Sequence, residues 1–328
     1  MSPSRFPDKK HKYKELDPEQ HPDTVAKVLA SGKTPAGSHV PIMVGQILEV
    51  LHPRPGEFAV DCTLGHGGHT RAILERLQPG GHLLALDADP LELPRTEERL
   101  RSADFGSDQL TIIKSNFAGL PAALSKVGRP GADLILADLG VSSMQLDNPA
   151  RGFSAKSDGP LDMRMNPLRG LSAAQWLQKV SPEKLAAILA DNSDEPHATQ
   201  LATILAGHDF VTTADLATAI QSALTAVPRE ERELSVRRVF QAIRIEVNEE
   251  FSALDTLLRV LPHCLNPGGR LAILTFHSGE DRRVKKALQS AHSEGLYQQI
   301  ARRVLRASPA ERHANPRSTS AKLRWAIR

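Results

Sequence analysis

Four short apolar runs, separated by stretches with helical spacing, constrain the fold of this chain more than any other feature. Residues 58–60, 82–86, 110–113 and 134–137 have the length and apolar content of buried strands. Residues 70–77, 91–100 and 117–127 between them read as helices. Strands linked through helices run parallel, because only a long crossover returns the chain to the same end of the sheet. The alternation predicts an α/β chain: a Rossmann-like, doubly wound, mostly parallel sheet with helices on both faces.

The alternation then stops. Between Gly170 and Pro228 no strand pattern occurs, and the pieces 172–180, 182–190, 196–206 and 212–224 each open on Ser, Pro or Thr, as helices do. This predicts an all-helical insertion. Val236, Phe240, Ile243, Val247, Phe251, Leu254, Leu258 and Leu261 recur at three- and four-residue steps, predicting one helix from Leu234 to Leu261, about 40 Å long. Pro267-Gly268-Gly269 turns the chain into a buried strand at 271–276, and a helix from Ser278 and a last strand at 323–327 complete the sheet. The expected organisation is a basic, mobile extension (1–38), a sheet domain (39–150 and 235–328) and an inserted helical domain (151–234) whose loop 151–166 borders the site.

The segment Asp61-Cys62-Thr63-Leu64-Gly65-His66-Gly67-Gly68-His69-Thr70 lies between the first strand and the first helix of the alternation. Glycines there let the backbone turn and approach a ligand, and the helix N-terminus adds unpaired N–H groups. Asp87 ends the second strand, where a carboxylate accepts hydrogen bonds from ribose hydroxyls. The third glycine of a dinucleotide loop is missing, since position 70 is Thr, and no phosphate-loop lysine motif occurs. An acid at the start of the loop suits a cationic, amino-acid-bearing cofactor better than a pyrophosphate, which points to S-adenosylmethionine.

Charge is unevenly spread. Residues 1–14 hold five Lys/Arg against one Asp, and residues 280–328 hold twelve against four Asp/Glu, while residues 15–279 carry a balance of −9. Basic ends suggest a polyanion partner. Only two cysteines occur, so neither a disulfide scaffold nor a Cys-rich zinc module is expected. The first 25 residues are too polar for a signal peptide, and no apolar run reaches the roughly 18–20 residues that cross a bilayer. The expected setting is cytoplasmic, with no membrane partner and no metal.

Six further segments sharpen the reading: Asp138-Leu139-Gly140-Val141-Ser142-Ser143-Met144-Gln145-Leu146-Asp147, Arg151-Gly152-Phe153-Ser154, Asp158-Gly159-Pro160-Leu161-Asp162-Met163-Arg164-Met165, Phe240-Gln241-Ala242-Ile243-Arg244-Ile245-Glu246-Val247-Asn248, Phe276-His277-Ser278-Gly279-Glu280-Asp281-Arg282 and Asn315-Pro316-Arg317-Ser318. Together with Gly65–Thr70 they resemble the RsmH (MraW) family, from about His39 to the C-terminus. The resemblance implies a class I methyltransferase fold with a helical domain inserted after the fourth strand. It implies methyl transfer from S-adenosylmethionine to the N4 amino group of a cytidine in small-subunit (16S) ribosomal RNA, free or in an assembling small ribosomal subunit. It places the cofactor contacts on Gly67, Gly68, His69, Asp87, Phe117, Asp138 and Gln145. Where the family usually has Leu in its last motif this chain has Gly279, and Thr70 replaces the usual Ser.

Asp138, ending the fourth strand, is the candidate acceptor for the proton of the target amino group, in competition with its cofactor role. Methylation at cytosine C5 would need a cysteine nucleophile, and neither Cys62 nor Cys264 reads as one. The turn-rich loop 158–164 is expected to fold over the target base, and Ser278 with Asp281 to cap the following helix. The alternatives are the same fold acting on another RNA or on a protein amino group, and a non-catalytic RNA- or ribosome-binding protein.

Overall fold

The computed structural model describes residues 40–328, and the basic extension lies outside the described residues. The chain runs α1 (Val44–Leu51), β1 (Phe58–Asp61), α2 (Gly68–Leu77), β2 (His82–Asp87), α3 (Leu93–Ser102), β3 (Leu110–Lys114), α4 (Leu120–Lys126) and β4 (Ala132–Asp138). Helices α5 (Ser143–Asp147), α6 (Ala173–Lys179), α7 (Pro182–Ser193), α8 (Ala198–Leu205), α9 (Thr213–Ala223), α10 (Arg229–Val247) and α11 (Glu250–Cys264) follow. The chain closes with β5 (Leu265–Thr275), α12 (Ser278–Ser293), β6 (Gln299–Ile300), α13 (Pro309–Ala314) and β7 (Lys322–Ile327).

The strands form one sheet in the order β3-β2-β1-β4-β5-β7-β6. The first five are parallel, and β7 runs antiparallel between β5 and β6. Register brings the strand ends together: Asp61 pairs with Ala85 and Leu136, Asp87 with Lys114, and Asp138 with Leu274. Three carboxylates therefore stand along one edge of the sheet, the carboxyl edge where ligands of open α/β folds bind.

Each face of the sheet has its own core. Leu120 and Leu124 of α4, Leu254, Leu257, Leu258 and Leu261 of α11, and Val284 and Leu288 of α12 cover one side. Ile47 and Leu51 of α1, Ile73, Leu74 and Leu77 of α2, and Leu100 of α3 cover the other. A third cluster gathers Phe153, Leu161, Met163 and the apolar faces of α6 to α9 around Val236, Val239, Phe240 and Ile243 of α10. The helical layer thus uses α10 well past residue 234.

The single long helix expected over 234–261 is two helices. Glu249 takes a left-handed backbone, φ 51°, and Asn248 turns its side chain onto other backbone. Its Oδ1 accepts from Met165 N–H at 2.6 Å, and its Nδ2 donates to the Met163 carbonyl at 2.7 Å. The apolar period conceals the break because two stripes are joined end to end: Val236 to Val247 pack into the helical cluster and Leu254 to Leu261 against the sheet.

Candidate cofactor and substrate site

The loop after β1 is held from several sides. Cys62 N–H donates to Leu136 O and Leu64 N–H to Leu86 O, both at 2.8 Å, so β4 and β2 fix the loop that β1 feeds. Asp61, fully buried, accepts from Thr70 Oγ1 at 2.7 Å and from Thr63 N–H at 3.0 Å, pinning the loop to the first turn of α2. Burial raises the Asp61 pKa, against those hydrogen bonds and the charge of His69. Gly67 bends the chain at φ 82°, a conformation that favours glycine, and N-caps α2.

Asp87 accepts from Gly65 N–H at 2.7 Å and from Asp89 N–H at 2.8 Å, one bond to each oxygen. Its carboxylate keeps further lone pairs for a ligand. Burial pushes its pKa up to about 6, against those two bonds and helped by Asp89 and Asp61.

His69 is buried between two acceptors. Its Nε2 lies 2.9 Å from the Ile42 carbonyl and its Nδ1 3.4 Å from Asp138 Oδ2. A neutral imidazole has one N–H, so two acceptors call for the imidazolium. Burial alone would lower the His69 pKa, but the Asp138 hydrogen bond and charge, with Ile42 O and Asp61, raise it. Asp138 itself accepts on Oδ2, while its Oδ1 is buried and meets no hydrogen-bond partner among the described residues.

The loop from Cys62 to Gly68, with Asp87, Asp89, His69 and Asp138, lines one pocket of about 390 Å³, and Asp61 does not reach it. Gly67, Gly68, His69, Asp87, Phe117, Asp138 and Gln145 all lie on its wall. Phe117 opens a 3-10 turn whose N-cap is Asn116. Gln145 is committed to protein: its Oε1 accepts from Ser142 N–H at 3.0 Å and its Nε2 donates to Asp89 Oδ2 at 2.8 Å. Arg151 donates to the same oxygen of Asp89 at 2.8 Å, and through its other nitrogen to the Arg164 and Met165 carbonyls.

A second part of the wall comes from later in the chain: Met165, Arg244, Asn248, Glu250, Phe251 and His277. Arg244 and Glu250 form a doubly hydrogen-bonded ion pair across the α10–α11 break, at 2.8 and 2.9 Å. Two expectations need correction here. None of residues 158–164 lines the pocket, although Met165 beside them does; Leu161 and Met163 are buried in the helical cluster and Asp162 clamps Arg164, so the loop is an anchor. The cap of α12 is His277 with Glu280, one residue before Ser278 and Asp281. Ser278 instead donates to Asp194 at 3.0 Å, and Asp281 takes Arg324. Sequence reasoning missed Asp89, Arg151 and the Arg244–Glu250 pair as parts of the site. Arg151 and Arg244 stand in segments singled out above and Asp89 stands two residues after Asp87, but no local pattern marks their partners.

A sheet of this order with an antiparallel β7, and a carboxylate-lined pocket at its carboxyl edge, defines a class I methyltransferase. Residues 36–328 match the model of the MraW methylase family, and the chain belongs to that family. It is 47% identical, over 99% of its length and 95% of the relative's, to "Ribosomal RNA small subunit methyltransferase H 1" of Agathobacter rectalis. It is 49% identical to "Ribosomal RNA small subunit methyltransferase H 2" of Alkaliphilus metalliredigens, over 97% of this chain and 93% of that one. A third relative, of Lachnoclostridium phytofermentans, is 46% identical over 97% and 89% of the two chains. The protein is an S-adenosylmethionine-dependent methyltransferase. The pocket suits that cofactor's cationic amino and sulfonium groups: Asp87, Asp89, Glu92 and Asp138 line it.

Proposed function

We propose that this protein methylates the N4 amino group of a cytidine in small-subunit ribosomal RNA. The observation that carries the reading is the unpartnered, buried Oδ1 of Asp138 in the pocket of a chain that matches the MraW family from residue 36 to its end. The cofactor supplies an electrophilic methyl group when bound. Asp87 would hold its ribose hydroxyls, Gly67 and Gly68 would line the loop beside it, and Phe117 would cover its adenine. Gln145 acts through Asp89.

The exocyclic nitrogen of cytosine is a weak nucleophile because its lone pair is delocalised into the ring. The protein therefore has to orient it and accept a hydrogen bond or proton from it. Asp138 Oδ1 performs that task, with His69 fixing the carboxylate from its other oxygen. The structure favours attack by nitrogen over a C5 route. Cys62 borders the pocket, but burial, with the charge of Asp61, raises its pKa well above the ordinary value, so its thiol stays protonated. Residues 151–234, with the basic C-terminal region, present the RNA, and the target nucleotide leaves its stack to reach the pocket.

The experiment is transfer of a labelled methyl group from S-adenosylmethionine to unmethylated small subunits, naked small-subunit RNA, transfer RNA and total protein. Label in small-subunit material that ribonuclease releases supports the reading. Label confined to transfer RNA or to protein would contradict it.

A further inference from the structure

A second concavity lies away from the methyl-transfer pocket, between α12 and the β6–β7 end of the sheet, with a volume of about 720 Å³. Lys285 and Gln289 project from the helix side, and Gln298 and Arg302 from the strand side, over a floor that includes Ile300. No aspartate or glutamate lines it. Arg324 reaches into it but is neutralised by Asp281, whose Oδ1 lies 2.6 Å from its Nε. Lys285 and Arg302 are exposed, and neither has a carboxylate within ion-pair distance among the described residues.

The neighbouring arginines differ. Arg282 is tied to Asp194 at 3.0 Å, and Arg283 to Asp255 while lying over the Phe251 ring. The basic run of α12 therefore divides into a structural half and an available half, and the available charge at Lys285 faces the groove. Two unpaired cations, side-chain amides and no acid together make a surface for a phosphodiester backbone.

Its position relative to the pocket selects the occupant. α12 begins beside the pocket at His277-Ser278 and continues to Ser293. At 1.5 Å per residue, Lys285 lies about 10 Å and His292 about 20 Å along that axis from Ser278. A strand whose target nucleotide enters the pocket reaches this groove within a few nucleotides by following one helix.

We propose that the groove holds the backbone of a single-stranded segment flanking the target nucleotide. The inference deepens the RNA-methylation reading and rests on it. The test is binding of a short fluorescein-labelled single-stranded RNA, by anisotropy across a salt series. It compares wild type, Lys285→Glu/Arg302→Glu, and a control, Arg76→Glu/Lys126→Glu, which makes the same charge change at exposed positions on α2 and α4.

The groove variant should bind at least about 30-fold more weakly at low salt, and its salt slope should fall by about 1.4, about 0.7 for each of two lost phosphate contacts. The control should stay within about threefold of wild type, and calorimetry should give all three proteins the same S-adenosylmethionine affinity. Equal losses in both variants would reduce the groove to a net-charge effect and overturn the proposal, as would unchanged binding in the groove variant. A groove variant that lost poly-glutamate binding and kept RNA binding would assign the groove to an acidic peptide instead. A wild type that binds no RNA at low salt would sink the RNA reading itself, an outcome distinct from a failure confined to the groove.

Discussion

Asp89 Oδ2 and Arg151 Nη1 lie 2.8 Å apart, with side chains only 2% and 7% exposed. The pair joins two parts of the protein that the chain keeps far apart. Asp89 donates its N–H to Asp87, the acid at the end of β2, while Arg151 holds the carbonyls of Arg164 and Met165, and Met165 lines the second part of the pocket wall. One guanidinium therefore ties the two parts of the wall together.

Arg151→Ala leaves Asp89 as a buried carboxylate that keeps only the Gln145 side-chain amide and the Leu91 N–H as donors, and frees two loop carbonyls. Breaking a buried pair from one side costs about 3–5 kcal/mol. Denaturant unfolding should show a loss of that size, with a lower midpoint and an unchanged slope. A loss below about 1 kcal/mol would mean that water replaces the guanidinium and that the pair does not hold the walls.

Asp87 gives the cofactor site a pH dependence. Its pKa, pushed up to about 6 by burial, is above the ordinary carboxylate value. The folded protein thus binds this proton more tightly than the unfolded chain, and ionising Asp87 costs stability above pH about 6, a cost relieved as pH falls. Cofactor affinity runs the other way, because a protonated carboxyl no longer offers a charged acceptor to ribose. Calorimetry from pH about 8 to about 5 should show S-adenosylmethionine affinity falling through pH about 6. Asp87→Ala should bind about 10–150-fold more weakly at neutral pH, with the drop near 6 removed. Flat affinity in the wild type, or unchanged affinity in the variant, would remove Asp87 from the ribose site.

His69 titrates in the opposite sense. Its raised pKa favours the imidazolium in the fold. Its contribution to stability is complete below the unfolded value and is lost as pH rises through the folded one. The imidazole resonances of His69 should titrate with a midpoint above 6.5, and Asp138→Asn should lower that midpoint. A midpoint at or below 6.5 in the wild type would mean a neutral ring, and with it a different orientation for Asp138.

The sheet and the first half of the site were legible because their signals are local. Strand, glycine loop and helix follow one another between Asp61 and Thr70, and Asp87 and Asp138 are each the last residue of an apolar run. The second wall of the pocket was not legible, because its geometry depends on partners remote in sequence. Asn248 ends α10 through bonds to Met163 and Met165, more than eighty residues away, and an apolar period carries no record of that. The misplaced cap of α12 has a similar cause. Ser278 and Asp281 satisfy the residue preferences of a capping box, but Asp194 and Arg324 engage their side chains and leave the cap to His277 and Glu280.

Gly279 marks a local adjustment of that second wall. A Cβ there would lie 2.7 Å from Phe251 Cζ and 3.2 Å from His277 Nδ1. The ring of Phe251 therefore occupies space that a larger residue at 279 would need. Gly279→Leu should cost about 1–3 kcal/mol through overpacking. Adding Phe251→Ala should recover much of that loss, so that the two changes are not additive. Additive losses in thermal or denaturant unfolding, or a Gly279→Leu protein as stable as wild type, would contradict this packing.

Small ribosomal subunits lacking cytidine methylation would be incubated with the protein and isotopically labelled S-adenosylmethionine, and their RNA digested to nucleosides for mass spectrometry. The geometry of Asp138 and the protonated Cys62 thiol predict label in N4-methylcytidine, with Asp138→Asn still binding cofactor and transferring little. Label in 5-methylcytidine, in a nucleoside other than cytidine, or in no RNA nucleoside would contradict the account.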